Sequence, residues 1–272
     1  MTAARFRLML SPPAPGARQM AYDEALLEAC AADPHGFTPV LRLYAFEPPC
    51  LSIGRFQAIT DVDLAACRRD GIDVVRRPTG GRAVLHARDL TYAVVAPEAG
   101  PVFAGGVRRS VERIGAVLLD AVRRLGITDA AIAERRVGVR AARRADCFAS
   151  AGAYEVAVRG RKLAGSAQVR RNGAALQHGT LRLSDGAGDA GRYLRERAAS
   201  VAVVREPEMV PASLSSVAGR AIGFDEAAIT VVAAFSSVLG EKDSPGYLTP
   251  WEIARAAELE QRFAAPEWTA RR

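Results

Sequence analysis

Residues 154–183 read YEVAVRGRKLAGSAQVRRNGAALQHGTLRL. Three strand-like runs lie in this stretch, 154–158, 162–170 and 175–183. The first two are joined by Arg159-Gly160-Arg161 and the last two by Arg171-Asn172-Gly173. An Asn-Gly step accepts positive φ at both central positions of a two-residue turn, so it predicts an antiparallel hairpin.

Upstream, residues 83–86 and 90–95 read as the arms of another hairpin. Residues 40–46 alternate as a strand, 51–54 form a short one after Pro48-Pro49, and 72–76 form a third. Helices are expected at 17–32, with Met20, Leu26 and Leu27 towards a core, and at 61–70, closed by Gly71. The longest is expected at 102–125, with Gly126 just past its end. Residues 127–145 look irregular. The last ninety or so residues look helical, most clearly at 224–239 and 249–263. Hairpins dominate and the helices are segregated from them. The expected fold class is therefore α+β, a largely antiparallel β-sheet flanked by helices. A single catalytic domain over residues 1–272 is expected, with a helical C-terminal portion from about residue 186. The P-loop pattern G-x-x-x-x-G-K-[ST] is absent.

Hydrophobic residues make up 49% and charged residues 25%, the balance of a soluble globular chain. No apolar run is long enough to span a bilayer, and the first residues lack a secretory h-region. A cytoplasmic protein that does not enter membranes is expected. The four cysteines, Cys30, Cys50, Cys67 and Cys147, form no C-x-x-C pair and have no histidine at metal-ligand spacing. They read as thiols, three of them as small buried hydrophobes, and no metal site is visible. The net charge of +7 permits nucleic-acid binding. The arginines are scattered, however, and no nucleic-acid-binding signature accompanies them. Attraction to an acidic protein partner fits equally well, and an Arg-rich solvated surface is the plainest account.

Three segments carry chemistry. In Arg76-Arg77-Pro78-Thr79-Gly80-Gly81-Arg82-Ala83-Val84-Leu85-His86, the paired glycines allow close backbone approach, and exposed N–H groups in such a turn suit an anion or a carbonyl. Taken alone, an ordinary glycine turn explains it as well. In Lys162-Leu163-Ala164-Gly165-Ser166-Ala167-Gln168, small residues on a strand leave a slot for a narrow ligand, or for close packing against a helix. In Leu176-Gln177-His178-Gly179-Thr180-Leu181, His178 reads either as a site residue or as a satisfied core histidine.

Together and in this order, the three segments resemble the lipoate-protein ligase, octanoyltransferase and biotin-ligase superfamily. The motifs cover about residues 72–185, and three linked motifs are far more specific than any one. The resemblance implies a largely antiparallel sheet flanked by helices, with the acyl chain in a tunnel. It implies that Gly80 and Gly81 approach the acyl donor and that Lys162 contacts the acyl carbonyl. Arg77, Thr79, Arg82, Ala83, His86, Gly165, Ser166, Ala167, His178, Gly179 and Thr180 are the further substrate-binding candidates.

The family has two chemistries. Its ligases use ATP, with magnesium, to make an acyl-adenylate. Its octanoyltransferases take the acyl group from acyl carrier protein without ATP. One transferase branch resembles the ligases but uses a cysteine in a segment like Cys-Phe-x-x-x-x-x-Tyr-Glu. This sequence has Cys147-Phe148 followed by Tyr154-Glu155 in that frame, which makes Cys147 the catalytic candidate. A thiolate attacking a thioester donor conserves its energy in an acyl-enzyme, and a nearby cation is needed to form the thiolate at neutral pH. Lys162 is the candidate for that cation and for the proton shuttle.

Two departures from many ligases favour the transferase branch. Arg82 and the continuation Asp89-Leu90-Thr91-Tyr92 depart from the ligase wording G-G-G-A-V-x-H-D-x-G-N, and Ala87 stands where an acid often follows the histidine. The implied donor is octanoyl-acyl carrier protein. The implied acceptor is a lipoyl-domain protein, the glycine cleavage H protein or a dehydrogenase E2 subunit. The alternatives are an ATP-dependent lipoate ligase, complete or needing a partner chain, and a non-catalytic acyl- or nucleic-acid-binding module. A biotin ligase is compatible on fold alone.

Overall fold

The computed structural model describes residues 5–133, 155–185, 190–195, 211–243 and 246–271. Cys147 lies outside the described residues. The main sheet has six strands. Its two longest strands are the neighbours β6 (Asp89–Pro97) and β11 (Ala174–Arg182), both buried along almost their whole length. On one side β11 pairs antiparallel with β10 (Ala164–Arg171), through the turn the Asn-Gly step predicted. Asn172 and Gly173 both have positive φ, 49° and 78°. On the other side β6 pairs antiparallel with β2 (Val40–Tyr44). Beyond β2, β1 (Arg5–Leu10) and β12 (Glu241–Asp243) extend the sheet in parallel register. The sheet is thus mixed at that edge, and neither of these strands was expected.

Helices flank this sheet on both faces, as the expected α+β class has it. Helix α1 (Gly16–Ala32) and helix α6 (Pro250–Ala264) bury Met20, Leu26, Leu27, Leu259 and Phe263 against Val40, Tyr44, Val95 and Leu176. The opposite face carries α3 (Gly106–Arg124) and α5 (Phe224–Leu239), which bury Ile114, Leu118, Val231 and Phe235 against Leu41, Leu43, Tyr92 and Val94. Each such side chain contributes roughly 1.5–3 kcal/mol on burial. Helix α3 begins later than expected, because Gly105 and Gly106 both hold positive φ, 87° and 86°. Among the described residues, no helix is long and apolar enough to cross a membrane.

A second sheet of three strands carries the glycine turn. Here β3 (Cys50–Ile53) pairs parallel with β4 (Asp73–Arg76) and antiparallel with β5 (Val84–His86). Residues 83–86 and 90–95 therefore do not form the expected hairpin. Both edges of β6 are taken, by β2 and β11, so β5 pairs with β3 instead. The short helix α2 (Leu64–Arg69), capped by Asp63, packs beside this sheet.

A third small sheet joins β7 (Ala130–Ile132), β8 (Val156–Val158) and β9 (Arg161–Lys162). It corrects two expectations. Residues 130–132 are ordered as strand, and the run 162–170 divides at Leu163. The Leu163 N–H donates to Val156 O at 2.9 Å, while its carbonyl accepts from Arg182 N at 3.3 Å, so this residue passes the chain from one sheet to the next. Cys30, Cys50 and Cys67 are buried thiols, as expected.

Candidate active site

The three motifs meet at one pocket with an empty volume of about 390 Å³, its open mouth included. Arg77, Gly81 and His86 come from the first motif, Gly165, Ser166 and Ala167 from the second, and His178, Gly179 and Thr180 from the third. Strand register explains the meeting of the last two. Gly165 faces Thr180, Ser166 faces Gly179 and Ala167 faces His178 across β10 and β11. The pocket is mostly apolar with few polar groups, as small-molecule sites are. Met20, Tyr44, Phe46, Val84 and Thr91 complete its wall and were missed in the sequence.

The floor is built of small residues and has no room for a side chain at Gly179. A Cβ built on Gly179 would lie 2.5 Å from Gly165 O, 2.7 Å from Tyr92 Cε1 and 2.8 Å from Ser166 Oγ. The Tyr92 hydroxyl hydrogen-bonds Ser166 Oγ at 2.7 Å and accepts from Gln177 Nε2 at 3.3 Å. Burial pushes the Tyr92 phenol up to about 12, against its hydrogen bonds with Ser166 and Gln177 and with a contribution from the Glu155 charge.

The glycine turn is held at its carbonyls. Buried Arg77 donates through Nη1 to Ser52 O at 2.7 Å and Ser52 Oγ at 2.6 Å. Through Nη2 it donates to Gly80 O at 3.2 Å and Arg82 O at 2.8 Å. Gly81 has φ +92°, a conformation that favours glycine. Gly80 faces open space, with no heavy atom within 4 Å of a built Cβ. Ala83 does not line the pocket; it is buried in a separate cluster with Leu51, Ile53 and Cys67. Arg82 reaches the turn through its carbonyl. Neighbouring Arg76 is buried and donates to Gly54 O, Arg55 O, Gln57 O and Thr269 O, so it braces the loop rather than facing a ligand.

Both histidines stand between a carboxylate and a hydroxyl. His178 Nδ1 is 2.9 Å from Asp23 Oδ2, and its Nε2 is 2.7 Å from Thr79 Oγ1. His86 Nδ1 is 2.6 Å from Asp89 Oδ2, and its Nε2 is 2.7 Å from Ser52 Oγ. Phe46 stacks on the His86 ring, with centroids 4.1 Å apart. Burial, aided by Arg77 and His86, holds the His178 pKa below its ordinary value, against the hydrogen bond and charge of Asp23. Burial alone would raise Asp23, but the hydrogen bond from His178 and the charge of Arg42 outweigh it and leave the carboxyl below the usual range. Asp23 was not anticipated. Its signal is that it shares a helix face with Met20 and Leu27, at i+3 and i−4 spacing.

Lys162 is 1% exposed and ion-pairs Glu155, Nζ to Oε1 at 2.7 Å. It stands in β9, just before the Gly165–Ser166 wall, and does not itself line the pocket. Its Glu155 partner is felt by Tyr92, which hydrogen-bonds the same wall. Among the described residues no cluster of three His, Cys, Asp or Glu could hold a metal ion. Asp23 and Asp89 are both engaged by imidazoles, and Asp23 also by Arg42.

A pocket built from these three motifs, on a mixed sheet between helical layers, agrees with what comparison finds. The chain matches the lipoyl protein ligase A/B catalytic domain over residues 15–236 and belongs to that family. It is similar to octanoyltransferase LipM of Moorella thermoacetica, with 36% identity over 276 residues and 100% of each chain covered. To octanoyltransferase LipM of Kyrpidia tusciae it is 38% identical over 284 residues, covering 98% of this chain and 99% of that one. Its fold is similar to that of lipoate-protein ligase A bound with ATP, at TM-score 0.74 and 23% identity, over 98% of both chains. It is also similar to a bi-partite lipoate protein ligase from Thermoplasma acidophilum, at TM-score 0.73 and 22% identity, over 98% of this chain and 96% of that one.

Proposed function

We propose that this chain is an octanoyltransferase of protein lipoylation. It takes octanoyl from octanoyl-acyl carrier protein and delivers it to a lysine of a lipoyl-domain protein, the glycine cleavage H protein or a dehydrogenase E2 subunit. The observation that carries this reading is the convergence of the three motifs on one narrow, largely apolar pocket. The end-to-end likeness to octanoyltransferases supports it.

The pocket suits an unbranched acyl chain. Met20, Phe46 and Val84 offer apolar wall, and Gly165, Ala167 and Gly179 leave room along the floor. Arg77, Thr79 and the Gly80–Gly81 turn stand where the polar end of the acyl donor would approach.

In the proposed reaction the Cys147 thiolate attacks the thioester carbonyl. The new C–S bond forms on the enzyme, the bond to the carrier's sulfur breaks, and the leaving thiol takes a proton from Lys162. The acceptor lysine, as a neutral amine, then attacks the acyl-enzyme. An amide forms, the Cys147 sulfur leaves, and the amine's proton passes to Lys162. The Lys162–Glu155 ion pair keeps a buried cation in β9, just before the Gly165–Ser166 wall. The reaction needs no ATP, because the donor is already a thioester.

A lipoate ligase is the second reading, favoured by the fold likeness to an ATP-bound lipoate-protein ligase. One assay separates the two. The purified chain is given octanoyl-acyl carrier protein and a lipoyl domain without ATP, and the mass of the lipoyl domain is followed. Octanoylation without ATP supports the transferase. Modification only from free lipoate with ATP and magnesium would replace it with the ligase.

A further inference from the structure

We infer that Asp23 and Asp89 are positioning residues, which shape the Thr79–Arg82 turn by fixing the two pocket histidines in one tautomer each. The inference rests on the acyl-transfer reading for its functional consequence, but its structural content stands without it.

Consider first the path through His178. Asp23 is fully buried; its Oδ1 takes the Arg42 Nη1 at 2.8 Å and its Oδ2 takes the Tyr44 hydroxyl at 2.9 Å. An ionised carboxylate only accepts hydrogen bonds, so the His178 Nδ1 beside it must carry hydrogen. A neutral ring then has a lone pair on Nε2. The Thr79 hydroxyl, 2.7 Å away, is forced to donate to it. Asp23 on helix α1 thereby sets the hydroxyl of Thr79 in the glycine turn.

The path through His86 runs the same way. Asp89 fixes the hydrogen on Nδ1, so Nε2 accepts from Ser52 Oγ. That hydroxyl in turn accepts from Arg77 Nη1 at 2.6 Å, which pins the guanidinium. The other guanidinium nitrogen, Nη2, holds the Gly80 and Arg82 carbonyls. In a trans peptide the N–H points opposite to the preceding C=O. Turning Gly80 O onto Arg77 therefore presents the Gly81 N–H on the other side of the turn. Two relays that begin on separate elements thus end on one turn, the first at Thr79 and the second at Gly80 and Arg82. Both nitrogens of both rings are engaged within the protein.

The chain has three histidines, so ring-nitrogen resonances of His35, His86 and His178 can be resolved by NMR. We expect His86 and His178 both as neutral rings with hydrogen on Nδ1. Asp23→Asn should move only the His178 ring, and Asp89→Asn only the His86 ring, and each should shift the Gly80 and Gly81 amide signals. Each variant should slow octanoyl transfer by about 10- to 100-fold, the range for losing a hydrogen bond to a charged group. Thr79→Val should match Asp23→Asn, the double variant should be no slower than either, and Thr79→Ser should restore the rate.

Hydrogen on Nε2 of either wild-type ring overturns the inference, and so do Asp23→Asn and Thr79→Val effects that multiply. If Asp23→Asn fails to fold, Asp89→Asn and Thr79→Val still decide through the ring and amide signals. A wild-type chain that transfers no octanoyl would sink the proposed function and leave the tautomer result to stand by itself.

Discussion

A Cβ built on Gly54 would stand 1.9 Å from the carbonyl oxygen of Gly81. The end of β3 is thus pressed directly against the glycine turn, and the Arg55 N–H donates to Thr79 O at 2.8 Å beside it. No side chain fits between them. Gly54→Ala should push the turn out of place, and a displacement near 1 Å can cost on the order of 100-fold in rate. Gly80→Ala is the paired control, because its Cβ would meet nothing in the free protein. We expect Gly80→Ala to keep the wild-type melting temperature while raising KM for the acyl donor. A fully active Gly54→Ala would show that the turn need not be held where it is.

The floor of the pocket gives a prediction about chain length. Gly179→Ala places a methyl group against Gly165 O, Tyr92 and Ser166 Oγ. The slot should narrow, so octanoyl transfer should fall more than butyryl transfer from the same carrier. Rates for the two donors, compared as kcat/KM ratios, check this. An unchanged ratio would move the acyl chain elsewhere.

Asp23 and Arg42 form a wholly buried ion pair. Removing one partner leaves the other charge uncompensated, so Arg42→Met should cost about 3–5 kcal/mol in urea unfolding. Replacing Asp23 as well with an apolar residue should recover much of that loss. An Arg42→Met protein as stable as wild type would mean that Asp23 is not held as a buried carboxylate.

Acid should destabilise the fold through the same cluster. The His178 pKa is depressed, so the unfolded chain takes up a proton before the folded one as pH falls below 6.5. Stability present above that value is lost towards the folded pKa. Asp23 is also depressed and acts in the same direction below 3.8. The urea midpoint should therefore fall between about pH 7 and about pH 5, and His178→Gln should flatten that fall. A slope unchanged in His178→Gln would assign the acid sensitivity to another group.

Much of this was legible in the sequence because the signals were local. The Asn172-Gly173 turn announced its hairpin, since only such residues take positive φ at both positions. Gly165, Ser166 and Ala167 could be read as a slot because strand positions with small side chains leave one. What was illegible depended on partners distant in sequence. Alternation marked β5 and β6 as strands, but not that β6 would have both edges filled, which sends β5 to β3. The edge strands β1 and β12 are short and pair in parallel, so no turn advertises them. The pairing of Asp23 with Arg42 has no local signal, because the fold brings together side chains of α1 and β2. Cys147 and Lys162 were singled out through resemblance, and the role of each stays a proposal.

The central claim is that octanoyl passes through a thioester on Cys147. Incubating the purified chain with octanoyl-acyl carrier protein, without ATP, and measuring its intact mass tests this directly. We expect one octanoyl adduct that hydroxylamine removes and that is absent in Cys147→Ala. An adduct that persists in Cys147→Ala, or octanoyl transfer to the lipoyl domain at the wild-type rate by that variant, would contradict it.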